Sequence, residues 1–133
     1  MSAANVAFVQ SQYAAFQRGD IESILASCAP DIRRQVKGRP DDYPMIGVWE
    51  GPEAVRAFFR LLAEMQEPVA FEPREFHAAG DIVFVLGRYA WTIRKTSQQV
   101  DAEWIHVFRI VNGKVAAFEE FTDTAQFAAA WRG

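Results

Sequence analysis

Residues 100–122 read VDAEWIHVFRIVNGKVAAFEEFT, and the period of this stretch decides the fold. Between Val100 and Val111 the even positions Val100, Ala102, Trp104, Phe108 and Ile110 are all apolar, with His106 set among them. That alternation marks a strand. Asn112-Gly113 follows, the dipeptide favoured where both central residues of a turn need positive φ, and Lys114–Thr122 then reads as the returning strand. Upstream, Phe71–His77 and Asp81–Lys95 have the same period. Ala79-Gly80-Asp81 and Thr96-Ser97-Gln98 supply the tight connections. Four consecutive strands joined this way predict an antiparallel meander.

Before the meander the period is helical. Val6, Val9, Tyr13 and Phe16 recur at spacings of three and four, and Gly19 supplies a stop. Asp20 is placed to cap a second, short helix that carries Ile21, Ile24, Leu25 and Cys28 on one face, with Pro30 ending it. A third helix opens at Pro52 and Glu53 and carries the stripe Val55, Phe58, Phe59, Leu62 and Met65, closed by Pro68. Residues 31–50 hold Gly38, Pro40, Pro44 and Gly47 and predict an irregular loop with one short strand at most. Thr122, Asp123 or Thr124 caps a last short helix that packs Phe127 and Trp131. The expected architecture is α+β: a cone-shaped roll, with a curved, mostly antiparallel sheet wrapped by three helices of the N-terminal half and a short C-terminal helix.

The length of 133 residues fits one domain, 1–133. Half of the residues are hydrophobic, and eleven Phe with four Trp predict a bulky core that encloses concave space. A net charge of −3 argues against a nucleic-acid surface. The basic run Arg33, Arg34, Lys37 and Arg39 is flanked by Asp31, Asp41 and Asp42, and reads as a solvated loop. Cys28 stands alone, so no intrachain disulfide forms and a reducing compartment is expected. No apolar run approaches the ~18–20 residues of a membrane span, and residues 1–5 lack signal-peptide features. The expected location is the cytoplasm.

Both faces of the strand 81–95 are largely apolar, although helices can cover only one face of so small a sheet. A second copy of the chain is expected on the other, in a homodimer. His106 is the ionisable group on the apolar face between Trp104 and Phe108. Burial should hold its imidazole neutral, suited either to general acid/base work or ligand hydrogen bonding, or to the role of a satisfied core histidine. Arg88, on an apolar-looking strand, needs a carboxylate or an anionic ligand. Glu119 and Glu120 point to opposite faces, and the loop length at Asn112-Gly113 decides which turns inward. Asp123 either reaches a pocket mouth or caps a helix. Tyr13 lies in the first helix's apolar stripe, and Tyr43 and Trp49 lie in the long loop, where they form a lid or simply pack. Two histidines and one cysteine make no convincing zinc site. Gly-x-Gly-x-x-Gly, phosphate-loop and Gly-x-Ser-x-Gly patterns do not occur, so no metal and no cofactor are expected.

Several motifs together resemble a known group. Arg18-Gly19-Asp20-Ile21, Trp49-Glu50-Gly51-Pro52-Glu53-Ala54-Val55, Gly80-Asp81-Ile82-Val83, Trp104-Ile105-His106-Val107-Phe108 and Phe121-Thr122-Asp123-Thr124 fall in the order of SnoaL-like proteins. These belong to the ketosteroid-isomerase-like superfamily, also called nuclear-transport-factor-2-like. The resemblance covers essentially the whole chain. It implies the cone fold, a pocket at its open end and dimerisation through the sheet. Its members include isomerases, cyclases, hydrolases and non-catalytic binders, so fold does not fix function. Carried over from ketosteroid isomerase, the tyrosine falls at or beside Tyr13 and the neutral acid near His106. The base falls near Arg33–Val36, where there is no carboxylate and Asp31 is the nearest.

The function expected is therefore binding of a small apolar molecule, with cofactor-independent isomerase, cyclase or hydrolase chemistry by acid/base catalysis. The alternative is a non-catalytic binding or dimeric interaction module. His106, Tyr13 and Asp123 are the catalytic candidates. Arg88, Trp104, Phe108, Trp49, Tyr43, Phe84, Leu86 and Glu120 are the ligand-contact candidates. An enzyme predicts that His106 and Arg88 open to one cavity, with His106 left unsatisfied by the protein.

Overall fold

The computed structural model describes residues 2–133. The chain runs α1 (Ser2–Gln17), α2 (Ile21–Ala26), β1 (Cys28–Val36), a 3₁₀ turn (Pro40–Asp42) and β2 (Gly47–Glu50). It continues with α3 (Pro52–Met65), β3 (Gln66–Ala79), β4 (Ile82–Ile93), β5 (Gln98–Val111), β6 (Lys114–Thr122) and α4 (Thr124–Arg132). The helix ends follow from local chemistry. Asp20 N–H bonds to the Ala15 carbonyl at 2.8 Å, a closure that needs the positive φ of Gly19, +74°. Asp20 Oδ1 then accepts from Ser23 N–H at 3.1 Å to start α2. Pro52 opens α3, which buries Val55, Phe58 and Phe59.

The six strands form one sheet in the order β2-β1-β6-β5-β4-β3, with β1 and β6 parallel and every other pair antiparallel. This is the α+β cone: an unclosed sheet with helices against its concave, inner face. The meander β3–β6 is as read from the sequence. Residues 28–36 are not. They form β1, and Pro30 lies inside it rather than ending α2. The proline is tolerated because it falls where the β1–β6 register shifts, between Cys28 and Arg33. Likewise Pro68 does not close α3, which ends at Met65. Pro68 and Pro73 lie on the edge strand β3 beside its register shifts.

The Asn112-Gly113 hairpin has a two-residue loop, with φ of +51° and +73° and Val111 paired to Lys114. Extended unbroken, that register would set Glu119 opposite His106. Ile110 pairs with Val115, however, while Arg109 pairs with Ala117, so Ala116 is an extra residue on β6. The bulge brings Glu120 opposite His106 and Glu119 opposite Val107. A bulge, not loop length, selects which glutamate faces inward. No helix of the described residues is long and apolar enough to cross a membrane.

Candidate functional site

Strand parity on β5 sends His106 to the inner face, where it is 5% exposed and flanked by Trp104 and Phe108. The Trp104 indole stacks on the imidazole with centroids 3.9 Å apart and planes 20° from parallel. Gly87, opposite Trp104 on β4, leaves the space this indole fills, since a Cβ there would collide with its ring. Both imidazole nitrogens are occupied. Nδ1 lies 2.7 Å from the Tyr13 hydroxyl, carried by α1, and Nε2 lies 2.8 Å from Glu120 Oε2, carried by β6. The Tyr89 hydroxyl donates to the same Glu120 oxygen at 3.2 Å.

The electrostatics assign the protons. Burial pushes the His106 pKa below its ordinary value despite the neighbouring carboxylate. Burial would raise Glu120, but the hydrogen bond from His106, the nearby charge of Arg34 and the Tyr89 hydroxyl outweigh it and hold that carboxyl below its usual range. Glu120 is thus ionised beside a neutral imidazole. The ring proton therefore sits on Nε2 and is donated to Glu120, leaving Nδ1 to accept from Tyr13. Burial raises the Tyr13 pKa well above its normal value, so the phenol keeps its proton.

A cavity of about 90 Å³ lies against this chain of groups, between the inner sheet face and the helices. Rings such as Phe16, Phe58, Phe59, Phe71, Trp91 and Phe118 wall it, and Tyr13, His106, Glu120, Tyr43, Gln66 and Arg34 add polar groups. Tyr43 is buried, and its hydroxyl donates to Gln66 Oε1 at 2.7 Å. Arg34 comes from β1. Its guanidinium lies 3.8 Å over the Phe118 ring and 4.5 and 4.8 Å from the centroids of Phe58 and Phe59.

The structure brings together Tyr13, His106, Phe108, Tyr43 and Glu120 from the expected set. Trp104 backs His106 without lining the cavity. Trp49 packs edge-on against Phe58, with its indole N–H directed at the Met45 carbonyl 3.4 Å away. The remaining candidates are corrected. Phe84, Leu86 and Arg88 lie on the outer face, because Val85 and not Phe84 or Leu86 stands opposite His106. Arg88 pairs with Asp101 at 2.6 Å and Glu72 at 3.0 Å, away from Glu119 and Glu120. Asp123 caps α4 by accepting from Gln126 N–H at 3.3 Å and stays outside the cavity. Asp31, the nearest carboxylate to the transferred base position, is exposed. The expectation of an unsatisfied His106 beside Arg88 is overturned, since His106 has no free ring nitrogen and Arg88 is elsewhere.

Contrary to the solvated run expected for residues 33–39, Arg34 points to the inner face and lines the cavity. Ile32 and Val36 are buried on the same parity, and that alternation, Ile32-x-Arg34-x-Val36, is the signal that points it inward. Tyr89 and Thr122 were also missed. Tyr89 shares the inner parity of β4 with Val85 and Trp91.

The pattern of the SnoaL-like domain family matches residues 9–118. No curated protein matches the chain by sequence. Among solved structures, an NTF2-like protein of Burkholderia xenovorans is 31% identical, with 98% of this chain and 97% of that one covered and a TM-score of 0.89. An NTF2-like protein of Burkholderia thailandensis is 32% identical over 97% and 98% of the two chains, TM-score 0.88. A protein called TerC, co-crystallised with polyporic acid, is 25% identical over 97% and 98%, TM-score 0.83.

Proposed function

Because the chain belongs to the SnoaL-like family, we propose that it binds a small apolar molecule in the cavity between sheet and helices. One observation carries this reading: aromatic walls converge on a few polar groups delivered by α1, β1, β5 and β6, the usual composition of a small-molecule site. The co-crystallisation of TerC with polyporic acid supports a small organic ligand for this fold. Leu62 is half-buried at the edge of the core and lines the cavity, so Leu62→Trp narrows it. Titration of the wild type with acetophenone, followed by tryptophan fluorescence, should saturate, and Leu62→Trp should abolish the change. Saturation unaffected by Leu62→Trp would place binding elsewhere.

A second reading, acid/base catalysis without a cofactor, cannot rest on a free His106 and rests instead on Tyr13, which lines the cavity at the head of the Tyr13–His106–Glu120 chain. The Tyr13 oxygen can take a proton from the ligand as its own passes to His106 Nδ1, while Glu120 stabilises the imidazolium formed. Because burial disfavours free phenolate at Tyr13, the two transfers must be concerted. Exchange of the acetophenone methyl protons in heavy water, lost in Tyr13→Phe with binding retained, supports catalysis. Binding without exchange leaves a binding module.

The outer face supports a homodimer. Leu86, Ile105 and Phe121 stand side by side across three strands, with Ile105 and Phe121 42% and 45% exposed. The half-buried, unpaired thiol of Cys28 fits a reducing compartment such as the cytoplasm.

A further inference from the structure

Arg34 is the group that the hydrogen-bonded chain does not use. Its Nε is buried without a partner, and its side chain makes no ion pair or hydrogen bond among the described residues. Other arginines contrast with it. Arg56 and Arg88, both partly buried, each hold carboxylates, and Arg18, Arg74, Arg94 and Arg132 do so at the surface. Arg34 instead has the faces of Phe118, Phe58 and Phe59. Aromatic faces attract a cation but accept none of the in-plane N–H bonds that a guanidinium directs from its edge. Glu120 is the closest acidic influence, yet its carboxylate is engaged by His106 and Tyr89.

We propose that the cavity is selective for an organic anion, an apolar body bearing a delocalised oxyanion such as a carboxylate or the enolate of a 1,3-dicarbonyl, which Arg34 receives. This rests on the reading of the cavity as a ligand site. A planar, forked donor matches a carboxylate in geometry as well as charge, and it can hold one oxygen of a delocalised enolate by charge-assisted hydrogen bonds. Burial lowers the Arg34 pKa only to about 10, so the cation persists at neutral pH. A half-buried charge with no acidic partner in the protein is a cost to folding, and such costs are retained where a ligand uses them.

The test uses two matched pairs at pH 7, each titrated into wild type and Arg34→Met: benzoate against benzamide, and the enolate of 5,5-dimethylcyclohexane-1,3-dione against its neutral 3-methoxy enone. Wild type should bind the anion of at least one pair about ten-fold more tightly than the neutral partner. The pair that binds tells carboxylate from enolate. Arg34→Met should lose this preference, and without ligand it should melt at or above the wild-type temperature. Neutral molecules bound as tightly as anions would overturn the proposal and leave the ligand site standing. A preference that survives in Arg34→Met, or a large fall in that variant's melting temperature, would overturn it as well. Failure of all four compounds to bind would count against both the anion and the site.

Discussion

Arg34 and Arg88 lie on one sheet and have opposite surroundings. Arg34 reaches from β1 into the inner face, among rings and without a carboxylate. Arg88 stands on the outer face of β4 with Asp101 and Glu72, in contact with water. In a low dielectric every missing partner matters, whereas at the surface water substitutes for one. The difference shows where polar groups are expensive to hold, and the inner face collects nearly all of them: Tyr13, His106, Glu120, Tyr89 and Arg34.

That contrast can be broken from either side. The largest effect is expected for Glu120→Ala, which strands the His106 Nε2–H and removes the carboxylate whose charge acts most on Arg34. Removing one member of a buried polar pair should cost about 3 kcal/mol in urea unfolding. A loss below ~1 kcal/mol would mean that water already reaches these groups. Arg88→Ala should lower the melting temperature only slightly, because partly exposed pairs contribute about 1 kcal/mol or less. A fall comparable to that of Glu120→Ala would erase the distinction between the faces.

How far the sequence discloses this arrangement depends on how local the deciding interactions are. The meander is legible because period two and the Asn112-Gly113 turn are properties of adjacent residues. β1 was not, since its partner β6 is more than eighty residues away in sequence and Pro30 with three charged side chains masks its alternation. Arg34 was lost with it, as a basic run reads as solvated until the buried neighbours Ile32 and Val36 are weighed. On β4 both parities are apolar, so periodicity could not choose between them. The pairing of Val85 with His106 chose, and sent Phe84, Leu86 and Arg88 outward. Glu120 entered the site through one extra residue, Ala116, a bulge that no spacing rule announces. His106 and Tyr13 were found because each sits in an unbroken apolar stripe.

The buried chain Tyr13–His106–Glu120 depends on one protonation state, and nitrogen NMR of His106 across pH reads it directly. The expected ring is neutral at pH 7, protonated on Nε2 and accepting at Nδ1, with a titration midpoint below the ordinary 6.5. The sign for stability follows from this. The unfolded chain holds that proton more tightly than the folded one, so stability is complete above about pH 6.5 and falls as the pH drops below it. A doubly protonated ring at pH 7, or a proton on Nδ1 with Nε2 bare, would contradict the account.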